Sequence, residues 1–376
     1  MSVLILGFPH DIHIHAVRWA LDQLGVGHDV LYTPDMPNVL RASVHLARGS
    51  HVLASFHSGP VRGATGSYDT VWYRRSGEAM RPPGMSEPDW TVAARECDHH
   101  MRTLRRCLAP NAYWVNDAEA REQARLKVPQ LIAASCCGLA IPETLFSNDP
   151  EEIRRFYAEH RQWGVIFKLN VQTYWAGPKG ASHVLFTTAL QDEDLIDDEA
   201  LSSCPAIYQR KIDKAYELRV TCMDQHCFTV RLDSQTRDMT RTDWRADLRM
   251  PLQPRRYKLP PRVEERCIML MRKLGLAFGC IDLIVTPEGE HVFLEVNEMG
   301  QFLWAEQDEP ACPMLRAFAS LLVEHRLDPS SRLVGSDRIS FRAFLESGAW
   351  ERACTDDDEH HVRYDVLRAV SEAPRE

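Results

Sequence analysis

The chain has 376 residues, 44% of them hydrophobic, and it carries a formal net charge of -9 with a pI near 6.0. This length and composition allow a sizeable core and predict two or three lobes. The acidic balance argues against a dedicated nucleic-acid-binding protein, which usually has a basic face and a high pI. The N-terminal apolar run from Val3 to Leu6 has no basic leader and is too short for a signal sequence or a membrane span, so we expect a cytoplasmic protein without membrane contacts.

The first hundred or so residues have the pattern of an α/β unit. A strand from Val3 to Leu6, a helix from Ala16 to Leu24 and a strand from Asp29 to Tyr32 follow one another. A further strand is predicted at 70–75 and a helix at 88–108, with a loop between Gly59 and Asp69. No GxGxxG follows the first strand, so a dinucleotide-binding fingerprint is absent.

The next segment predicts a helix that carries Lys127. Asn116 is placed to cap it, Pro129 to bend or divide it, and Gly138 to end it. A helix from Pro150 to His160 is predicted next.

Strands are then predicted at 164–169, 182–188 and 206–212. The loop between the first two holds two glycines and Lys179, a composition that allows backbone N–H groups to wrap a phosphate chain, although such loops are common.

Two hairpins follow, formed by 217–223 with 227–233 and by 278–286 with 291–297, with an amphipathic helix at 261–274 between them. A helix from Cys312 to Arg326 is predicted to complete the core. The acidic run TDDDEHH at 355–361 is typical of a solvated segment rather than of a metal site.

Three polar residues of the second hairpin are candidates for a metal site. Asp282 lies in one strand, Glu295 and Asn297 lie in the other, and the alternation of a strand puts all three on one face. Carboxylate and carbonyl oxygens suit Mg²⁺, which commonly bridges to nucleotide phosphates. For any single acid a hairpin face turned to water is the simpler interpretation. Three buried polar groups without a ligand would be costly, so the set favours the metal.

Charged residues elsewhere suit a nucleotide. Lys168 ends an apolar strand, where a lysine can meet a phosphate as a point charge. Asp213 and Glu217 are placed to reach a ribose, and Arg219 is placed to clamp phosphoryl oxygens. The alternative for this segment is an edge strand with alternating exposed charges.

With these residues in order, the chain resembles the ATP-grasp ligases, and more narrowly the graspetide (microviridin-type) peptide-cyclising ligases. The resemblance covers most of residues 1–325 and rests on VWYRR, NDAEAREQARLKVPQLIAASCCGLAIPETLFSN, YQRKIDKAYELRVTCM, TDWR and LGLAFGCIDLIVTPEGEHVFLEVNEMGQFLW. It implies an ATP-grasp fold of the α/β (α+β) class with an N-terminal pre-ATP-grasp domain. The domains implied are 1–115, the pre-ATP-grasp domain; 116–205, the central lobe; 206–328, the C-terminal lobe with the metal site; and 329–376, a partly mobile extension.

The resemblance also implies roles for single residues. Two lysines would hold ATP, a four-residue hinge would hydrogen-bond adenine, a ribose contact would follow, two arginines would face the transferred phosphoryl group, and three oxygen ligands would hold Mg²⁺. The lysines are Lys127 and Lys168, and the hinge is Gln209, Arg210, Lys211 and Ile212. The ribose contacts are Asp213 and Glu217, the arginines are Arg219 and Arg245, and the metal ligands are Asp282, Glu295 and Asn297.

Enzymes of this kind form ADP and activate a carboxylate as an acyl phosphate, which an amine or hydroxyl attacks. In graspetide ligases both groups belong to one precursor peptide, which has an acidic core and a leader segment, and the products are lactams or lactones. A homodimer is common among them. Basic residues at 254–258 and in WYRR at 72–75 either attract such a peptide or are merely solvated. The alternatives are an ATP-grasp ligase that joins free amino acids or modifies a peptide or protein terminus, and a non-catalytic ATP- or peptide-binding module.

Overall fold

The structure, a computed structural model, describes residues 1–46, 48, 52–171, 174–176, 182–247, 252–327 and 338–364, with the backbone alone at 174–176 and 182–183. Helices and strands are mixed along the chain, in agreement with the predicted α/β class. None of the described helices is long and apolar enough to cross a membrane.

The N-terminal unit contains a parallel sheet with the strand order β2-β1-β6-β7 and a separate antiparallel sheet β3-β4-β5. The alternation of short apolar strands with helices favours this arrangement. The predicted strands and helices of this unit are confirmed, but the predicted loop from Gly59 to Asp69 contains a strand. The elements are β1 (Ser2–Gly7), α1 (Ile12–Gln23), β2 (Gly27–Tyr32), β3 (Leu40–Leu46), β4 (Val52–Ser58), β5 (Val61–Ala64), β6 (Thr70–Tyr73), α2 (Glu87–Leu108) and β7 (Tyr113–Val115).

The central unit is built on an antiparallel sheet with the order β12-β9-β13-β8, and α5 covers it through Ile153 and Phe156. The strands predicted at 164–169 and 206–212 and the helix from Pro150 to His160 are confirmed. The strand predicted at 182–188 is instead two short strands, Ser182–Val184 and Thr188–Ala189, which belong to different sheets. The elements are α3 (Ala118–Ala124), α4 (Lys127–Cys136), β8 (Thr144–Ser147), α5 (Pro150–His160), β9 (Val165–Lys168), β10 (Tyr174–Ala176), β11 (Ser182–Val184), β12 (Thr188–Ala189), α6 (Asp198–Ser202) and β13 (Ala206–Arg210).

The C-terminal unit has a five-stranded antiparallel sheet with the order β16-β15-β14-β17-β18, and both predicted hairpins are confirmed. α4 and α7 bury their apolar faces against this sheet. The elements are β14 (Tyr216–Met223), β15 (His226–Leu232), β16 (Arg255–Arg256), α7 (Pro261–Lys273), β17 (Phe278–Val285), β18 (His291–Asn297), α8 (Leu303–Asp308), α9 (Met314–Glu324), α10 (Phe341–Glu346) and α11 (Ala349–His360).

Helix α9 packs between the parallel sheet of the N-terminal unit and the five-stranded sheet of the C-terminal unit. The Phe318 ring centroid lies 4.9 Å from that of Trp72 in β6 and 5.0 Å from that of Phe278 in β17. Both contacts are edge-on, an arrangement that aromatic pairs prefer. The parallel sheet and the five-stranded sheet therefore share one hydrophobic core.

The predicted cap at Asn116 is wrong. Helix α3 begins one residue later, because the Asp117 carboxylate accepts hydrogen bonds from the backbone N–H groups of Glu119 and Ala120, at 2.9 and 3.0 Å. The Asn116 side chain is buried and instead bonds the backbone of Phe278, with its Oδ1 2.9 Å from N and its Nδ2 2.7 Å from O. Asn116 thus ties the central unit to β17.

The prediction that Pro129 bends or divides the helix carrying Lys127 is also wrong. The break lies between α3 and α4, so Lys127 is the first residue of a separate helix. Pro129 stands in the first turn of α4, where a missing N–H breaks no intrahelical hydrogen bond. Lys127 therefore projects from a helix start rather than from mid-helix.

The segment 355–361, predicted to be solvated, is largely helical and partly buried. Asp357 of α11 is 1% exposed and accepts hydrogen bonds from the Tyr32 hydroxyl at 3.0 Å and from the His10 backbone N–H at 2.7 Å. Its carboxylate also lies 2.8 Å from His15 Nε2. Phe344 of α10 is fully buried beside α1. The described part of the C-terminal extension therefore packs on the N-terminal unit.

Candidate active site

A cavity of about 630 Å³ lies between the central sheet and the five-stranded sheet. Strands β9 and β13 line one side, β17 and β18 line the other, and the start of α4 and the segment 242–245 close the rim. Of the residues predicted to form the site, those that line it are Lys127, Lys168, Gln209, Glu217, Arg245, Asp282, Glu295 and Asn297.

The three predicted oxygen ligands share one face of the hairpin β17–β18. Asp282 pairs with Glu295, and Asn297 pairs with Cys280, two residues before Asp282. Directly opposed residues of an antiparallel pair project to the same side, so the predicted common face is confirmed. A bulge next to this pair leaves Leu294 without a partner, which brings Glu295 opposite Asp282.

Glu295 is the anionic centre of the cavity. Its Oε2 lies 2.5 Å from Lys127 Nζ, and its Oε1 lies 3.9 Å from Arg245 Nη1. Burial opposes its ionisation, but the charges of Lys127, Arg245 and Lys168 outweigh burial and hold the pKa of Glu295 well below its usual range. Burial and the nearby Lys127 charge lower the pKa of Lys168. An additional anion in the cavity would therefore favour the charged form of Lys168.

Asp282 pairs with Arg219, its neighbour across β14 and β17. Arg219 Nη1 donates to both carboxylate oxygens, at 2.9 and 3.0 Å, and Nη2 donates to the Gln301 carbonyl at 3.3 Å. Burial disfavours the charged guanidinium, but the Asp282 carboxylate outweighs that cost and raises the pKa of Arg219. Asp282 lines the cavity while Arg219 does not, so the arginine lies behind the carboxylate that would meet a ligand.

Only some of the residues predicted to bind the nucleotide lie together at the cavity. The Gln209 side chain is buried; its Nε2 donates to Thr144 Oγ1 at 2.9 Å, and its Oε1 has no hydrogen-bond partner among the described residues. The backbone N–H groups of Arg210 and Lys211 already bond the carbonyls of Glu143 and Gly164, both at 2.9 Å. The amide of Ile212 is bonded to no described residue.

Asp213 is exposed and does not line the cavity, so the structure does not bring it to the site. Glu217 does line it. Burial raises the pKa of Glu217, although Lys214 Nζ stands 2.7 Å from its Oε1. Lys214 was not predicted as a site residue. It lies in a loop, where the sequence has no periodic pattern that shows which side chains face the cavity.

Arg245 is held by Asp243. Its Nε and Nη2 donate to the two Asp243 oxygens at 2.9 and 3.1 Å, and Thr187 Oγ1 donates to the same carboxylate at 3.2 Å. Burial disfavours the charged forms of both residues, but their pairing outweighs it. The Asp243 carboxylate raises the pKa of Arg245, and the Arg245 guanidinium lowers the pKa of Asp243. The sequence signal for Asp243 was the TDWR motif itself. Lys179 lies outside the described residues.

Comparison with solved structures places this arrangement in a family. The macrocyclase MdnC from Microcystis aeruginosa MRC, solved with the precursor peptide MdnA, is 31% identical, superposes with a TM-score of 0.76, and aligns with 86% of this chain and 100% of its own. The chain belongs to the ATP-grasp ligases, close to those that modify ribosomal peptides. A Chryseobacterium gregarium RiPP-associated ATP-grasp ligase, solved with ADP and a leader and core peptide, is 25% identical with a TM-score of 0.80 over 89% of this chain and 99% of its own.

The curated proteins that match are similar to a smaller part of this chain. A probable alpha-L-glutamate ligase from Xanthomonas campestris pv. campestris is 26% identical over 185 residues, which are 48% of this chain. The chain spans 59% of the length of that relative. No family model matches the chain.

The donor set of this ATP-grasp ligase fits a nucleotide with Mg²⁺. Two carboxylates and an amide oxygen on one face are the hard oxygen ligands that Mg²⁺ prefers. Lys127 and Lys168 offer ammonium groups to phosphates in the same cavity, and the Gln209 Oε1 offers a buried acceptor without a partner among the described residues. The roles of these residues stay predictions.

Proposed function

We propose that this ATP-grasp ligase uses ATP and Mg²⁺ to activate side-chain carboxylates of a peptide and joins them to amine or hydroxyl groups of the same peptide. The observation that carries the proposal is the face of β17 and β18 on which Asp282, Glu295 and Asn297 lie together, in one cavity with Lys127 and Lys168. The proposed products are side-chain lactams or lactones.

The reaction has two steps. A carboxylate oxygen of the substrate attacks the γ-phosphorus of ATP, and ADP leaves with the electron pair of the broken bond. The amine or hydroxyl then attacks the carbonyl carbon of the acyl phosphate, phosphate leaves, and the proton of the nucleophile passes to water. The peptide loses the mass of one water per bond formed.

The chain's own groups would act by positioning and by charge. Lys127 and Lys168 would hold the phosphates, Asp282, Glu295 and Asn297 would hold Mg²⁺, and Mg²⁺ would neutralise phosphate charge. Arg245, which lines the cavity, would stabilise the phosphoryl group, and Arg219, predicted for the same role, would act through the Asp282 carboxylate that it holds. The hinge residues Gln209, Arg210, Lys211 and Ile212, with Glu217, would contact the nucleoside.

A peptide substrate is supported by the relatives. The MdnC structure holds a precursor peptide, and the Chryseobacterium ligase structure holds a leader and a core peptide. We propose that the substrate of the present chain is likewise a precursor peptide with an acidic core and a leader. We also propose that the ligase acts as a homodimer. The division into lobes at 1–115, 116–205, 206–328 and 329–376 is part of the same proposal.

The test is intact mass spectrometry of a short acidic peptide encoded beside the gene, after incubation with the purified ligase, ATP and Mg²⁺. We expect the loss of one water per bond with the wild type and none with Glu295→Gln. The matched control is Glu290→Gln, the same change at an exposed residue of the same hairpin. A peptide of unchanged mass, with ATP hydrolysed only when free amino acids are added, would refute peptide cyclisation.

That second outcome would favour the other candidate, a ligase that joins free amino acids or extends a terminus. The specific observation for it is the similarity to the probable alpha-L-glutamate ligase. A non-catalytic module is the weakest alternative, because it has no need of carboxylates and cations clustered in one cavity. Nucleotide binding without any turnover would support it.

A further inference from the structure

Arginine side chains gather at the carboxyl edge of the parallel sheet, next to the cavity. Arg74 and Arg75 directly follow β6. In open parallel sheets ligands bind at this edge. The loop after β18 joins the edge to the cavity, because Arg74 Nη1 donates to the carbonyl of Met299, and Met299 lines the cavity. A ligand at this edge would therefore lie beside the proposed site of phosphoryl transfer.

Most guanidinium groups of this cluster have protein partners. Arg74 Nε donates to the Asp11 carboxylate at 3.1 Å. The Arg121 guanidinium carbon lies 3.7 Å from the Tyr73 ring centroid, and its Nη1 donates to the Tyr73 carbonyl at 3.3 Å. Arg105 donates to the Tyr73 hydroxyl. These arginines are therefore committed to holding the structure together.

Arg75 differs from its neighbours. Its side chain is half-buried, and the guanidinium forms no hydrogen bond, ion pair or ring contact with any residue that the structure describes. Burial and the positive charge of Arg74 lower the pKa of Arg75 to about 10. Of the two carboxylates whose charges act on it, Asp11 is bonded to Arg74, and Glu298 lies 3.8 Å from Arg125. A half-buried cation without its own counter-ion is costly unless a ligand supplies one.

We propose that Arg75 binds a carboxylate side chain of the peptide substrate beside the cavity. The identity of the ligand rests on the proposed function. A guanidinium presents donors in a planar fork that matches a carboxylate, whereas a neutral amide offers a single acceptor oxygen. Arg75 would thus select Asp and Glu over Asn and Gln in the core peptide.

The loop next to Arg75 also approaches the predicted metal face closely. A Cβ added at Gly300 would lie 2.5 Å from Cys280 Cβ and 3.1 Å from Arg219 Nη2, so the backbone passes directly over both. Arg74 bonds one side of this loop, and Arg219 bonds the Gln301 carbonyl on the other. A carboxylate held at Arg75 is thereby placed near the residues proposed to bind ATP and Mg²⁺.

The test measures peptide binding without ATP. The probes are a fluorescein-labelled peptide of alternating Thr and Glu and its counterpart with Gln at each Glu, followed by fluorescence anisotropy. The variants are Arg75→Gln and Arg75→Lys, and the matched control is Arg102→Gln, which removes the same charge from the exposed side of α2. Binding of ADP and the melting temperature are recorded for each variant to establish that it is folded.

We expect wild type and Arg102→Gln to prefer the Glu peptide, and Arg75→Gln to bind it about ten- to one-hundredfold more weakly with no change for the Gln peptide. Arg75→Lys should keep part of the preference. An unchanged preference in Arg75→Gln would overturn the inference, as would weaker ADP binding with unchanged peptide binding, which would assign Arg75 to the nucleotide. A wild type that prefers the Glu peptide through Arg75 but never changes its mass would refute peptide cyclisation and leave the carboxylate site standing.

Discussion

The ion pair between Asp282 and Arg219 allows the structural and catalytic roles of one carboxylate to be separated. Replacing Asp282 by Ala removes the proposed metal ligand and at the same time leaves Arg219 buried without its carboxylate. Replacing it by Asn removes the charge but keeps an oxygen opposite Arg219 Nη1. Both variants should lose ligase activity, because both remove an anionic metal ligand. Their stabilities should differ.

The size of the difference follows from the contacts. Arg219 is 7% exposed and donates twice to Asp282, and its remaining described partner is the Gln301 carbonyl at 3.3 Å. Removing one partner of a buried pair typically costs about 3–5 kcal/mol, and the surviving bond puts Asp282→Ala at the lower end, about 3 kcal/mol. Asp282→Asn keeps one acceptor and should cost about 1–2 kcal/mol.

The assay is equilibrium unfolding in urea, with and without ADP and Mg²⁺. Wild type should gain about 2.7 kcal/mol at a ligand concentration one hundred times the dissociation constant, and neither variant should gain as much at the same concentration. If Asp282→Ala were as stable as wild type, Arg219 would not depend on the carboxylate, and the account of a paired buried cation would be refuted. Equal losses in both variants would show that the charge, rather than the hydrogen bonds, holds the arginine.

Four further predictions follow from the same structure. Because the pKa of Glu295 is held below its ordinary 4.5, its contribution to stability is present above that pH and is lost as the pH falls below it; the urea midpoint of Glu295→Gln should therefore fall less on acidification than that of wild type. Phe344→Ala should lose about 3–5 kcal/mol in urea unfolding, since the ring is fully buried, and a loss under 1 kcal/mol would mean that α10 is not part of the core. Replacing the exposed Arg255 and Arg256 by Ala should raise the KM for an acidic precursor and leave that for ATP unchanged; an unchanged peptide KM would contradict a role in attraction. Mg²⁺ should bind more tightly in the presence of ADP than alone by isothermal titration calorimetry, and equal affinities would count against a shared site.

Most of the fold was predictable from the spacing of apolar residues along the sequence and from the residue types that favour turns. The hairpin of β17 and β18 was readable because a turn at Pro287–Gly289 separates two apolar runs, and alternation alone placed Glu295 and Asn297 together. Helix α5 was readable from Pro150 at its start and the apolar spacing that follows. Local rules succeeded at these two places because the decisive contacts lie within one hairpin or one helix.

Two of the failures come from contacts between distant parts of the chain. Asn116 has the chemistry of a helix cap, but its side chain bonds β17, more than a hundred residues away in the sequence. The charge of Asp357 suggested a solvated segment, yet His15 and Tyr32 bury it. In each case the partner is supplied by tertiary packing, which propensity does not encode.

The charges of the cavity indicate which form of the nucleotide it should bind. Asp282 is paired with Arg219, and Glu295 with Lys127, so each anion proposed to hold the metal already has a cation. Mg²⁺ alone would have to approach next to these cations, and a triphosphate alone would have to approach next to the carboxylates. The metal–nucleotide complex supplies both charges at once, so that the carboxylates can turn to the metal and Lys127 to the phosphates. Since coupling between two ligands is reciprocal, loss of either carboxylate should weaken nucleotide binding although neither would contact the nucleotide directly.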